Sequence, residues 1–159
     1  MYNAAVSLGS NLGNRKDYLA RALEMLSSLP HTKLLVASSV SETDPVGVPD
    51  EFISYKFLNQ VAVFETELDA VEFSNRMHLI EDALGRVRTV RNGPRVIDVD
   101  LIAFDNLIIN DPFLTLPHPR AHERDFVMRP LRECIDALSV ADSSWKTRFG
   151  ILFQTDNRG

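Results

Sequence analysis

Short apolar runs alternate along the chain with turn-forming clusters, and their spacing predicts the elements in order. Residues 3–9 read as a strand, and Gly9, Ser10, Asn11 and Gly13 then predict a turn. Asn14, with Asp17 three positions on, is a candidate N-cap for a helix whose apolar face is Leu19, Ala22, Leu23 and Leu26, stopped by Pro30. Residues 33–41 and 57–66 read as a second and third strand, joined by a long connection that holds Pro45, Gly47 and Pro49. Asp69 and Glu72 have the spacing of a capping box, and Phe73, Met77, Ile80 and Leu84 trace one helix face up to a stop at Gly85. Residues 95–104 read as a fourth strand, and a short strand near 107–109 is expected to form a hairpin with it. Beyond residue 112 prolines punctuate the chain, with one short helix expected near 130–138 and no usable motif after 140, Trp145 and Phe153 included.

The order βαββαβ predicts an α+β fold: a ferredoxin-like antiparallel sheet with helices packed on one face and a C-terminal extension. The 159 residues, 45% hydrophobic, fit one domain spanning 1–159. The long connections 42–56 and 85–94 read as mobile lids.

Within the fourth strand, alternation places Asp98 and Asp100 on one face and Ile97, Val99, Leu101 and Ala103 on the other, the core side. At about 3.3 Å rise per residue the two acids lie roughly 6–7 Å apart along the chain. Their oxygens can therefore converge on hard cations, and Mg2+ suits a few carboxylates completed by phosphate oxygens and water. Alternating acids also occur on the wet face of any strand, but Arg86, Arg88, Arg91 and Arg95 lie just upstream, and no lysine falls between Lys56 and Lys146. Positive charge here is all planar guanidinium, which suits phosphate oxygens. The turn at 9–13 lacks both a P-loop and a dinucleotide-binding pattern, so turning and capping is its expected role.

The net charge of −5 argues against nucleic-acid or membrane-surface binding through the protein's overall field. Residues 86–132 nevertheless carry +2 and the remainder −7, which draws an anionic ligand to one region. The lone Cys134 has no partner for a disulfide, and the chain has no long apolar run, so a reducing, cytoplasmic, unanchored location is expected. His31, His78, His118 and His122 show no zinc spacing. A monomer is expected, since no extended amphipathic stripe is left unassigned.

The ordered set SLGSNLGNR (7–15), FLNQVAVFET (57–66), GRVR (85–88), GPRVIDVDLI (93–102) and PHPRAHERDFVMRPL (117–131) resembles the 6-hydroxymethyl-7,8-dihydropterin pyrophosphokinases of folate biosynthesis, over residues 4–135. The resemblance implies transfer of the β,γ-diphosphate of ATP, with two Mg2+ ions, to the hydroxymethyl oxygen of 6-hydroxymethyl-7,8-dihydropterin, releasing AMP. It implies that Asp98 and Asp100 bind the metal, with Arg86 and Arg95 beside them as catalytic groups. For ATP it implies Glu81, Arg86, Arg88, Arg91, Arg95, Thr115, His118, Arg124 and the backbone near Leu101; His122 is read as a surface residue or one standing behind the ligand contacts. For the pterin it implies a sandwich of Phe57 and Phe126, an edge read by Asn59, and contacts from Thr43, Val46 and Asp98. Three positions depart from the pattern that this resemblance implies: Asn92 stands where an aromatic is found, in an Arg88-to-Gly93 connection one residue shorter than the pattern, Pro119 where an aromatic is sometimes found, and Phe57 where Tyr is frequent. A metal-dependent phosphohydrolase or nucleotidyltransferase, and a non-catalytic ferredoxin-like binding module, remain open as other readings of the same acids and arginines.

Overall fold

Both expected N-caps form in the computed structural model, which describes residues 1–87 and 93–154. Asn14 Oδ1 accepts the Asp17 N–H at 3.2 Å at the head of α1 (Arg15–Ser27), and Asp69 Oδ1 accepts the Glu72 N–H at 2.9 Å at the head of α2 (Ala70–Ala83). The capping box itself is half made, because the Glu72 carboxylate reaches forward to Arg76 Nε at 2.8 Å. Gly85, at φ +90°, ends α2 in a Schellman turn: its N–H donates to Asp82 O at 3.0 Å and that of Arg86 to Glu81 O at 3.1 Å.

Strands β1 (Tyr2–Ser10), β2 (Thr32–Ala37), β4 (Phe57–Thr66) and β5 (Asp98–Phe104) pair antiparallel in the order β2-β4-β1-β5, the ferredoxin-like order for a βαββαβ core. The expected second strand is in fact two pieces, β2 and a short β3 (Ser41–Thr43), both on β4. Ser38 makes the break, its hydroxyl accepting the Val61 N–H at 3.0 Å in place of a regular ladder. The fourth strand begins at Asp98 rather than 95, because Asn11 takes both backbone groups of Arg95. The hairpin expected between residues 107–109 and β5 is absent. Instead β6 (Ile109–Asp111) pairs with β7 (Leu114–Leu116), after Asp105 turns the chain at φ +50° and ties its carboxylate to the Asn3 N–H at 3.0 Å.

The sheet buries both faces. One core, with Leu8, Phe64, Phe73, Phe104 and Ile97, lies beneath α1 and α2. The other joins Ala5, Val61, Val63, Ile102 and Ala103 to α3 (Asp125–Ser139), so the C-terminal extension adds its helix on the face opposite α1 and α2. Ala103 belongs to this second core and not with Leu101, because a register shift opposite Ala5 and Val6 inserts Ile102 as an extra residue and reverses the facing of the residues after it. The C-terminal helix also starts well before 130. Pro130 forgoes one hydrogen bond inside it, while Val127, Met128, Leu131, Cys134 and Ile135 bury a continuous stripe. The tail, from α4 (Trp145–Arg148) onward, finishes this core with Trp145, Phe149 and Leu152. No helix among the described residues is long and apolar enough to cross a membrane.

Candidate active site

The α3 face of the sheet is apolar at one end and polar at the other, and the polar end is the site. Register sets its floor: Gly9 on β1 pairs with Asn59 on β4 and with Asp98 on β5, and Ser7 pairs with Val61 and Asp100. Asn59, Gly9 and Asp98 thus form one row across three strands, with Asp100 in the next. A Cβ on Gly9 would meet Phe57 Cδ1 at 3.4 Å and Asn59 Oδ1 at 3.7 Å, so the missing side chain is what leaves the floor open between ring, amide and acid.

Above this floor lies a cavity of about 480 Å3 lined by Phe57, Asn59, Thr43, Val46, Arg95, Asp98, Asp100, Arg124 and Phe126, among others. Asn59 Nδ2 donates to Thr43 Oγ1 at 2.7 Å, which orients the amide. Each aromatic is flanked by a guanidinium, Arg95 at 5.6 Å from the Phe57 ring centre and Arg124 at 5.7 Å from that of Phe126.

Beside the acids, the Schellman turn at Gly85 brings Arg86 back over the last turn of α2. Its Nη1 donates to Glu81 Oε2 and, at 2.7 Å, to Asp98 Oδ1. Glu81 is 1% exposed, and its Oε2 also accepts the Val99 N–H at 2.9 Å, on the side of β5 that has no neighbouring strand among the described residues. Arg95 Nη1 lies 3.8 Å from the other oxygen of Asp98. Burial works against the Arg86 charge, but Asp98 and Glu81 outweigh it and raise its pKa. Withdrawal from water, then the Asp98 and Glu81 charges, push the Asp100 carboxyl up to about 7 against the pull of Arg124 and Arg86. An acid whose proton is retained by burial and then by two neighbouring negative charges is a group that a cation would ionise.

A second cavity, of about 290 Å3, is lined by Thr115, His118, Leu116, Pro117, Pro119 and His122 with residues of β6 and the tail. The chain enters it through the His118 N–H, which donates to Ile102 O at 2.8 Å. His118 Nδ1 accepts the Arg120 N–H at 3.2 Å, which requires an unprotonated nitrogen. Burial and the Arg124 charge lower its pKa accordingly.

Residues 5–136, which include these acids, arginines and aromatics, match the family 7,8-dihydro-6-hydroxymethylpterin-pyrophosphokinase (HPPK). The chain belongs to the HPPK family. It is 38% identical over 144 residues to the 2-amino-4-hydroxy-6-hydroxymethyldihydropteridine pyrophosphokinase of Bacillus subtilis, covering 91% of this chain and 84% of that one. It is 40% identical over 140 residues to the protein of the same name from Methylorubrum extorquens, covering 88% and 87%. An HPPK-DHPS crystal structure in complex with substrates shares the fold at TM-score 0.57 and 10% identity, over 89% of this chain; the chain spans 45% of that longer one.

Of the site residues that the resemblance implies, the first cavity collects Thr43, Val46, Phe57, Asn59, Arg95, Asp98, Asp100, Arg124 and Phe126, and the second Thr115 and His118. His122, exposed as expected, also lines the second cavity. Glu81 and Arg86 brace Asp98 from outside the first. Leu101 turns its side chain into the core under α2, leaving only its backbone to face a ligand. Arg88, Arg91 and Asn92 lie outside the described residues, as does half of the second expected lid. Ser7, Gly9, Asp44, Gly47, Arg120, Glu123 and Asp125 also line the first cavity. Ser7 and Gly9 could have been found from strand pairing, since both stand opposite motif residues on β1.

Proposed function

We propose that this protein transfers the β,γ-diphosphate of ATP to the hydroxymethyl oxygen of 6-hydroxymethyl-7,8-dihydropterin, in the cytoplasm, as a step of folate biosynthesis. The observation that carries this reading is the row Asn59–Gly9–Asp98, which puts a heterocycle-reading amide and a metal-type carboxylate on one cavity floor between two aromatic rings.

A flat pterin fits between Phe57 and Phe126, with Asn59 Oδ1 and its second amide hydrogen free to read an edge. Stacked there, its hydroxymethyl group points along the floor toward the acids. Two Mg2+ ions held by Asp98 and Asp100 would neutralise charge on the triphosphate. Among the described residues no group of three or more His, Cys, Asp or Glu side chains could hold a metal, so phosphate oxygens and water would complete each shell. Arg86 and Arg95 stand beside Asp98 to meet phosphate oxygens, and Thr115, His118 and Arg124 line the approach on the nucleotide side. The pterin hydroxyl oxygen then bonds to the β-phosphorus as its proton passes to solvent, the bond from that phosphorus to the bridging α-oxygen breaks, and AMP leaves with that oxygen. Positioning and charge neutralisation carry such a transfer, and no covalent nucleophile from the protein is needed.

The test is chromatography of purified protein with MgATP, with and without the pterin. AMP and pterin diphosphate forming together, and only with the acceptor present, supports the assignment. AMP or phosphate forming equally without the pterin points to a hydrolase and refutes it.

A further inference from the structure

Resting on that reading, we propose that Asn11 is a positioning residue, a strut that holds the phosphate-facing Arg95 in register with the pterin-stacking Phe57. Arg95 lies before β5 begins, so no ladder fixes its backbone. Asn11 does so instead: its Oδ1 accepts the Arg95 N–H at 2.7 Å, and its own N–H donates to Arg95 O at 3.1 Å. The same side chain donates from Nδ2 to Tyr55 O at 3.3 Å, two residues ahead of Phe57.

Asn11 is 4% exposed and comes directly after β1, the central strand that carries Gly9. One amide therefore ties together the segment before β5, the segment before β4 and the strand between them. At the far end of this linkage the Arg95 guanidinium stands 5.6 Å from the Phe57 ring centre and 3.8 Å from Asp98 Oδ2. Arg95 Nε is buried with no hydrogen-bond partner among the described residues, so the side chain is placed by its backbone and by the ring it faces. The amide supplies the acceptor for Arg95 and the donor for Tyr55 from two separate atoms, Oδ1 and Nδ2, so it spans both segments where a single hydroxyl oxygen would serve from one point.

Steady-state kinetics and thermal unfolding of wild type, Asn11→Ala, Asn11→Asp, Arg95→Ala and the Asn11→Ala/Arg95→Ala pair test this. Asn11→Ala is expected to lower kcat by about 10- to 100-fold, the scale of a displaced positioning contact, while KM for ATP moves by less than about threefold. Asn11→Asp keeps the acceptor for Arg95 and loses the donor to Tyr55, so kcat recovers to within about fivefold of wild type while KM for the pterin rises. The double variant is expected to be no slower than Arg95→Ala by more than about twofold, since a residue acting through Arg95 has nothing further to lose. Losses that multiply in the double variant overturn the proposal, as does Asn11→Asp falling as far as Asn11→Ala. Should Asn11→Ala not fold, Asn11→Asp decides alone, and a kcat as low as that of Arg95→Ala rejects the strut. Inactive wild type would refute the functional reading itself, whereas active wild type with an Asn11→Ala kcat within about threefold of it removes only this inference.

Discussion

The carboxylate of Glu81 accepts the backbone N–H of Val99 at 2.9 Å, and Val99 is the residue between the two acids. One buried side chain on α2 therefore fixes the outer side of β5 where Asp98 and Asp100 stand, and holds Arg86 against Asp98 as well. Replacing Glu81 with Ala leaves a buried N–H and a guanidinium short of a partner. The expected cost is about 3–5 kcal/mol of stability, the range for breaking a buried pair, read from denaturant unfolding. Glu81→Gln keeps an oxygen for Val99 and should lose less. Equal stability of Glu81→Ala and wild type would remove this bracing role.

Asp100 gives the site a pH signature. Its folded carboxyl titrates near 7, against 3.8 for the ordinary carboxyl expected of the unfolded chain. Between those values the folded state keeps a proton that the unfolded state has released, so stability contributed by this group falls as pH rises from about 4 to about 7 and stays low above it. Metal-free Asp100→Asn is accordingly expected to melt above wild type at pH 8 and close to it near pH 4.5. Mg2+ affinity of wild type should rise with pH up to about 7, because the proton must leave before the metal binds. Calorimetry showing flat Mg2+ affinity from pH 5.5 to 8 would contradict this.

Gly9 is needed for the cavity and not for the strand. A Cβ there makes only ordinary contact with Phe57 and Asn59, so Gly9→Ala should change stability by less than about 1 kcal/mol. It would nevertheless raise the floor where the pterin lies, and KM for the pterin is expected to increase with KM for ATP little altered. An unchanged pterin KM would show that the ligand does not lie over Gly9.

Much of the fold is legible in the sequence, for identifiable reasons. The cap bonds at Asn14 and Asp69, the stop at Gly85 and strand β4 are local, set by residues within one or two turns of one another. The pairing of Asp98 with Asp100 on one face comes from the period of a strand. Features that the sequence hides depend on distant partners. Ser38 breaks a strand through Val61, Asn11 delays β5 through Arg95, and the Ile102 bulge turns Ala103 over through its pairing with Ala5. Pro130 reads as a boundary because the penalty of proline is local, while the burial that offsets it comes from the sheet. In the site, the ligand-facing side chains stand out by chemistry and resemblance. Ser7, Gly9 and Asn11 fall within the resembling stretch 7–15, but their part in the site is visible only once β1 is known to run between β4 and β5.

Asp98 and Asp100 carry the proposed chemistry. Turnover of MgATP with the pterin should be measured for Asp98→Ala and Asp100→Ala at saturating Mg2+, with circular dichroism to show that each variant is folded. Loss of the metal's several kcal/mol of transition-state stabilisation predicts a fall in kcat of at least about 10³-fold in each. A folded variant of either kind turning over within about tenfold of wild type would contradict it.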